Sequence, residues 1–121
     1  MCGRYSLTSK LNNLQARFDF EAGSLVYRPR YNVAPTQEVL AVVNDGRNRA
    51  GFLRWGLVTS WAKDPRIGSR MINARAETVA EKPAFRQALR KRRCLVLADG
   101  FYEWKKEGGA KVPMYIASRS R

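Results

Sequence analysis

Residues 94–105 have the sequence Cys94-Leu95-Val96-Leu97-Ala98-Asp99-Gly100-Phe101-Tyr102-Glu103-Trp104-Lys105, which carries the clearest strand signals in the chain. The continuous apolar run over 94–98 is typical of a strand buried on both faces, so Cys94 is expected to be an inert thiol in the core. Asp99-Gly100 breaks this run, and a second strand is predicted over 101–105. Gly108-Gly109 then predicts a tight turn into a further strand over 112–117.

Working outward from this stretch, hydrophobic spacing predicts two helices, over residues 8–20 and 81–93. In the second helix, Phe85 and Leu89 are expected to face the core. Strands are predicted over 39–43 and 50–57, and two prolines make 28–36 an extended loop. The polar stretch 59–70, with Pro65 and Gly68, is expected to be a surface loop. The elements together predict an α+β domain with a curled, mainly antiparallel β-sheet and short flanking helices.

The composition excludes several kinds of catalytic site. The chain has 121 residues, 45% of them hydrophobic, and it contains no histidine. Catalytic sets of the Ser-His-Asp and Cys-His types, and histidine-based zinc sites, are therefore excluded within these residues. Two cysteines, Cys2 and Cys94, are too few for a four-thiolate metal site. We expect neither a metal nor another cofactor.

The charge points to a polyanionic partner. The chain carries 23 basic and 10 acidic residues, for a formal net charge of +13. Such an excess attracts nucleic acid, although it can also serve only solubility. No apolar run approaches the ~18 residues that a membrane span needs, and the N-terminus lacks the apolar core of a signal peptide. A cytoplasmic, nucleoid-associated protein without a membrane partner is the expectation, with its cysteines reduced.

Cys2 follows the initiator methionine directly, so removal of Met1 would leave an N-terminal cysteine. An N-terminal cysteine holds an amine and a thiol two carbons apart, which together condense with an aldehyde to a five-membered thiazolidine. Chance alone can also place a cysteine at position two, and retention of Met1 would leave only the thiol.

Two other groups of polar residues are candidates for chemistry. Asn73, Arg75 and Glu77 share one face if the segment is extended, and together they can orient a polar substrate and its phosphate. A solvated strand face with a local Arg–Glu pair is the alternative. Glu103, between Tyr102 and Trp104, suits general acid–base work, although it can equally be an outward-facing strand residue. The exposed cations expected on the second helix can be a solvated face or can follow a phosphate backbone.

Five stretches, taken in order over nearly the whole chain, resemble the SOS response-associated peptidase (SRAP) family of abasic-site-processing proteins. They are Met1-Cys2-Gly3-Arg4-Tyr5, Arg30-Tyr31-Asn32-Val33-Ala34-Pro35-Thr36, Arg54-Trp55-Gly56-Leu57, Ile72-Asn73-Ala74-Arg75-Ala76-Glu77-Thr78, and residues 93–105.

The resemblance implies covalent protection of abasic sites in single-stranded DNA during the DNA-damage (SOS) response. It implies that Cys2 is the nucleophile, that Asn73 orients the reacting N-terminus and the opened sugar, and that Glu103 shuttles protons. It further implies a DNA-binding set in which two arginines hold phosphates and two other residues splay the strand: Arg4 and Arg75, and Pro35 and Trp61. The family name implies a peptidase activity that removes the residue before Cys2, in addition to a lyase-like crosslinking activity.

The family's catalytic histidine lies in a later segment, and this chain has no histidine. We therefore expect residues 1–121 to form one SRAP-like domain, of which they are the N-terminal portion. Two other functions remain open at this point. One is a non-covalent module that binds single-stranded nucleic acid, and the other is a self-processing N-terminal-cysteine hydrolase that acts on peptides.

Overall fold

Two antiparallel sheets form the framework in the computed structural model, which describes residues 2–119. The first sheet has the order β2-β1-β6-β7, and the second has the order β4-β3-β5. The strands are β1 Tyr5–Leu7, β2 Arg30–Val33, β3 Glu38–Asn44, β4 Asn48–Arg54, β5 Cys94–Val96, β6 Gly100–Glu107 and β7 Ala110–Ala117. The predicted α+β class with mainly antiparallel pairing is confirmed.

The helices are shorter than the sequence predicts. Helix α1 covers Leu11–Phe18 and helix α2 covers Arg86–Lys91. Phe85 and Leu89 are only half-buried, and α2 buries no residue completely. A 3₁₀ helix, Pro65–Arg70, forms in the predicted surface loop, and Asp64 caps it by accepting a hydrogen bond from the backbone N–H of Arg66. No helix within residues 2–119 is long and apolar enough to cross a membrane.

The predicted loop over residues 28–36 is partly wrong, because strand β2 forms within it and pairs with β1. The two prolines, Pro29 and Pro35, flank the strand, so neither removes a backbone donor from its four residues. Val33, at the end of β2, is 2% exposed and belongs to the core. The prediction of a loop from proline content alone is therefore wrong for residues 30–33, which form β2.

The predicted burial of 94–98 on both faces is also wrong. All three residues of β5 are exposed, and so Cys94 is not a core thiol. Strand β5 pairs with β3 on one side only, and it forms an edge of its sheet among the described residues. Leu97, directly after the strand, is 2% exposed and is the residue of this run that enters the core.

The core joins both sheets and helix α1. Its members are nine buried apolar side chains: Tyr5, Leu7, Leu14, Phe20, Val33, Val39, Leu40, Val42 and Leu97. Gly100 is the first residue of β6 and has close neighbours. A Cβ there would lie 2.5 Å from the hydroxyl oxygen of Tyr115. That hydroxyl is already hydrogen-bonded to Ser6 Oγ at 2.7 Å. The strand must therefore begin with glycine to keep β1, β6 and β7 together.

Candidate functional site

Cys2 and Asn73 meet although 71 positions separate them in the sequence. The side-chain amide of Asn73 donates a hydrogen bond from Nδ2 to the backbone carbonyl of Cys2, over 2.9 Å. Cys2 is half-buried and packs against the core, and its Sγ lies 3.8 Å from the carbonyl oxygen of Arg4. The amide group therefore fixes the backbone immediately next to the thiol.

Asn73 does not lie on a strand, contrary to the extended face expected for residues 73–77. Irregular backbone holds Asn73, and the chain turns after Arg75, whose carbonyl oxygen accepts hydrogen bonds from the N–H groups of Thr78 and Val79. These two N–H groups bond within the turn, so they are not available to pair with a neighbouring strand. The alternation of side chains along a strand therefore does not apply to residues 73–77, and it gives no reason to place Arg75 and Glu77 beside Asn73.

Trp55 holds the Asn73 segment in place, a role that the sequence patterns did not identify. Its indole Nε1 donates a hydrogen bond to the carbonyl of Ile72 over 3.0 Å, and the N–H of Leu57 donates to the carbonyl of Met71 over 3.0 Å. The Trp55 ring also packs against the Tyr5 ring, with 5.4 Å between centroids. Trp55 therefore contacts both chain segments that meet at the Cys2–Asn73 hydrogen bond. Its only signal in the sequence was its place in the Arg54-Trp55-Gly56-Leu57 motif.

Cys2 and Asn73 border a cavity of about 550 Å³ between the two sheets. Most of its other lining is apolar, including Val39 and Leu53 from the second sheet and Phe101 from the first. Tyr5 is a further lining residue. Burial, together with the nearby Cys2 and against an opposing effect of Arg30, raises the pKa of Tyr5 to about 12. Its hydroxyl therefore stays neutral at physiological pH.

Arg4 and Glu103 border a second cavity, of about 240 Å³, together with Gly3, Tyr102 and Trp104. The backbone carbonyl of Arg4 accepts a hydrogen bond from the N–H of Tyr102 over 2.9 Å, which continues the pairing of β1 with β6. The guanidinium donates from Nη1 to Oδ1 of Asn32 over 3.2 Å. Arg4 is thus held in place through both its backbone and its side chain.

The remaining predicted site residues, Pro35, Trp61 and Arg75, border neither of these two cavities. Trp61 is 63% exposed, just before the 3₁₀ helix, and Arg75 is exposed two positions after Asn73. Pro35 is half-buried in a turn that hydrogen-bonds to the backbone of Trp55. The next residue, Thr36, has a φ of 72°, a left-handed conformation that is uncommon for a β-branched residue. Two backbone hydrogen bonds between residues 36–37 and Trp55 hold this turn.

The described residues offer no ready metal site. Within residues 2–119, no three cysteine, aspartate or glutamate side chains cluster closely enough to hold a metal ion. The chemistry that this arrangement can support is that of a thiol, an amide, a carboxylate and guanidinium groups.

The chain thus combines an α+β fold with a hydrogen bond from a distant asparagine to the backbone of Cys2. The model of the SOS response associated peptidase (SRAP) family matches residues 1–121, and the chain belongs to that family. It is 52% identical to a Bacillus subtilis protein named abasic site processing protein YoaM, over 99% of this chain and 55% of that protein. It is 39% identical to the Gallus gallus abasic site processing protein HMCES, over 74% of this chain and 31% of that protein.

Solved structures show the same fold. A protein from Bacteroides thetaiotaomicron superposes with a TM-score of 0.85 at 27% identity, over 99% of this chain and 56% of that chain. A phage-related protein from Bordetella bronchiseptica superposes with a TM-score of 0.76 at 30% identity, over 98% of this chain and 56% of that chain. The chain spans about half the length of the Bacillus relatives and of these two structures.

Proposed function

We propose that this chain processes abasic sites in single-stranded DNA by forming a covalent thiazolidine crosslink through Cys2. The proposal requires that Met1, which lies outside the described residues, is removed by hydrolysis of the Met1–Cys2 peptide bond. This peptidase step is part of the proposed activity, and the enzyme would act in the DNA-damage (SOS) response at the bacterial nucleoid. No cofactor enters the reaction.

The crosslink forms in two balanced steps. The α-amine of Cys2 attacks the C1′ aldehyde of the ring-opened deoxyribose, and loss of one water gives an imine. The Cys2 thiol then adds across the carbon–nitrogen double bond, so that its sulfur binds C1′ and its proton passes to the nitrogen. The product is a five-membered thiazolidine ring, and no oxidant or reductant is consumed.

The hydrogen bond from Asn73 to the carbonyl of Cys2 is the observation that carries the proposal. A reaction in which the amine and the thiol of one residue both bond to a single carbon is favoured when that residue is held in one position. Asn73 holds the backbone of Cys2 over 2.9 Å.

The other site residues take supporting roles in the proposal. Glu103 transfers protons during ring opening and imine formation, and it borders the same cavity as Arg4. Arg4 and Arg75 hold phosphates next to the lesion. Pro35 and Trp61 separate the neighbouring nucleotides, for which the large exposed indole of Trp61 provides a stacking surface. The names of the relatives at 52% and 39% identity, both abasic site processing proteins, support the same substrate.

The test uses the Met-free chain and single-stranded DNA with one abasic site. We expect a heat-stable adduct on a denaturing gel, with a mass equal to the protein plus the DNA minus one water. Cys2→Ala should abolish the adduct. Cys94→Ala, which removes the chain's other thiol, should leave it unchanged. Absence of the adduct with the Met-free chain, or an adduct that persists in Cys2→Ala, would overturn the proposal.

A non-covalent single-stranded nucleic-acid-binding module is the competing function that the net charge of +13 supports. It predicts equal affinity for intact and abasic DNA, and no effect of Cys2→Ala on either. The same gel therefore separates the two functions.

A further inference from the structure

Residues 86–93, which include helix α2, carry a dense positive charge. They hold five cations, and no aspartate or glutamate occurs between Glu81 and Asp99. All five cationic residues are exposed. We call the following set the cationic segment: Arg86, Arg90, Lys91, Arg92 and Arg93. The function proposed above assigns these residues no role.

Neighbouring acidic side chains do not neutralise the cationic segment. The ion pairs within residues 2–119 use other cations, namely Arg47, Arg49, Arg66 and Lys105. Five positive charges within eight consecutive residues repel one another in the absence of such partners. They therefore remain available to an external anion.

Helix stability does not account for the whole segment. Arg90 and Lys91 lie in the last turn of α2, where the helix dipole favours positive charge. Arg86 lies in the first turn, where the dipole disfavours it, and the like charge of Arg90 lies one helical turn away. Helix α2 has six residues, buries none of them completely and has no side-chain cap. Arg86 therefore lowers the stability of this short helix unless an external anion offsets the repulsion.

The composition of the segment fits a phosphate backbone. Four of its five cations are arginines, whose planar guanidinium groups bind phosphate oxygens through two parallel hydrogen bonds. Residues 86–93 include no aromatic residue on which a base could stack, so contact would be with phosphates rather than with bases. Arg86 and Arg90 are separated by ~6 Å along the helix axis, which is comparable with the spacing of successive phosphates in an extended strand.

A series of hydrogen-bonded turns connects the segment with the candidate site. The N–H of Val79 donates to the carbonyl of Arg75, and the N–H of Arg86 donates to the carbonyl of Lys82. Arg86 follows Arg75 by 11 positions, so their Cα atoms lie within ~40 Å of each other, and the turns shorten this distance. A DNA strand held at Arg75 can therefore reach the cationic segment several nucleotides further on.

We propose that the cationic segment binds the phosphate backbone of the same DNA strand several nucleotides away from the abasic site. It is a second contact, in addition to that of Arg4 and Arg75 beside the lesion, and it does not depend on base identity or on the lesion. The choice of DNA as the partner rests on the proposed function, but binding at this segment requires no reaction at Cys2.

The test measures binding of undamaged single-stranded DNA to the Cys2→Ala chain by fluorescence anisotropy. One strand has about 30 nucleotides and the other about five, on either side of the ~4–16 nucleotides that one single-strand-binding fold commonly covers. The long strand should bind at least tenfold more tightly, because it alone reaches both contacts. Arg86→Gln, Arg90→Gln and Arg93→Gln together should remove most of this advantage and lower the salt slope for the long strand by about 2. Glutamine has a helix propensity close to that of arginine, so α2 is retained.

The matched control removes three exposed cations elsewhere, with Lys10→Gln, Arg17→Gln and Arg28→Gln together. This variant has the same net charge and should keep the advantage of the long strand. An equal loss in both triple variants, or an advantage that persists without the three arginines, would overturn the proposal. Equal affinity for the two lengths, with two strands bound per chain, would assign the segment to a separate DNA molecule and overturn the same-strand contact. Because the DNA is intact and no adduct forms, failure of the crosslink is a separate result.

Acetylation of lysines gives a second measurement that needs no substitution in the segment. An N-hydroxysuccinimide ester of acetate modifies exposed amines, and mass spectrometry gives the rate at each lysine. Lys91 should react severalfold more slowly when the long strand is bound, whereas Lys10 should react at the same rate with and without DNA. An unchanged rate at Lys91 in the saturated complex would overturn the proposal.

Discussion

At the scale of single residues, Asp99 does the most to connect distant parts of the fold. Its carboxylate accepts hydrogen bonds from the backbone N–H and the hydroxyl of both Thr8 and Ser9, which lie 91 and 90 positions away. Burial alone would raise the pKa of Asp99, but the hydrogen bonds from Ser9 and Thr8 outweigh it and hold the pKa below its ordinary value. The carboxylate thereby ties the segment after β1 to the start of β6.

We predict that Asp99→Asn destabilises the protein by about 1.5–3 kcal/mol at pH 7, the usual range for hydrogen bonds to a charged group. Because the folded pKa is depressed, the stabilisation is fully present above the ordinary pKa of about 4 and is lost as the pH falls through the folded value. The difference in unfolding free energy between the unsubstituted chain and Asp99→Asn should therefore be largest at pH 7 and should shrink as the pH falls below about 4.

Asp45→Asn is the control for this prediction. Asp45 also has a lowered pKa, caused mainly by its hydrogen bond with Arg49, but both side chains are largely exposed. Exposed pairs contribute little to stability, so this substitution should change the free energy of unfolding much less than Asp99→Asn does. Equal losses for the two variants would contradict the role given to Asp99.

At the scale of elements, the sequence predicted the strands that obey simple alternation or carry clear turns. The β3–β4 and β6–β7 hairpins are correct because Asp45-Gly46 and Gly108-Gly109 mark their turns, and both glycines of the second turn have positive φ. The run at 94–98 failed because an apolar strand at a sheet edge has the same pattern as a central one. Pairing partners, which the pattern does not contain, decide between the two.

The sequence named candidate site residues but not the contacts that hold them in place. The resemblance supplied Cys2, Asn73 and Glu103, but the alternation of residues 73–77 suggested a strand where the chain turns. The sequence patterns did not identify the role of Trp55, because that role is a side-chain hydrogen bond to a backbone carbonyl 17 positions away. Such contacts produce no periodic pattern in a sequence.

We predict that Trp55→Phe loosens the Asn73 segment while it keeps the apolar packing. Phenylalanine retains a ring against Tyr5 but has no donor for the carbonyl of Ile72, so the variant leaves that carbonyl without its partner. The free energy of unfolding should fall by about 1–3 kcal/mol, and the rate of adduct formation at saturating DNA should fall at least tenfold. Trp61→Phe, at an exposed indole, should leave the unfolding free energy within about 0.5 kcal/mol. A Trp55→Phe chain with unchanged adduct rate would remove Trp55 from the positioning of Asn73.

At the scale of the whole molecule, the composition gives the net charge directly, and the ion pairs in the structure show which cations already have an acidic partner. The chain's excess of basic over acidic residues gives a field that any polyanion would feel. Several of its cations are already paired, among them Arg47 with Glu21 over 3.2 Å and Arg66 with Asp64 over 2.7 Å. The guanidinium of Arg4 is hydrogen-bonded to the neutral side chain of Asn32, and this contact does not offset its positive charge toward an external anion.

We therefore predict that non-covalent binding of undamaged single-stranded DNA weakens steeply with salt, and that particular arginines account for the slope. Each phosphate contact contributes about 0.7 to the slope of log K against log salt for single strands, so Arg4→Ala and Arg75→Ala should each lower the slope by about 0.7. Fluorescence anisotropy with the Cys2→Ala chain measures this without interference from crosslinking. Arg47→Ala, which removes a cation paired with Glu21, should lower the slope by less than either. If all three variants lose the same amount, binding follows the total charge, and the place of Arg4 and Arg75 beside the lesion has no support from affinity.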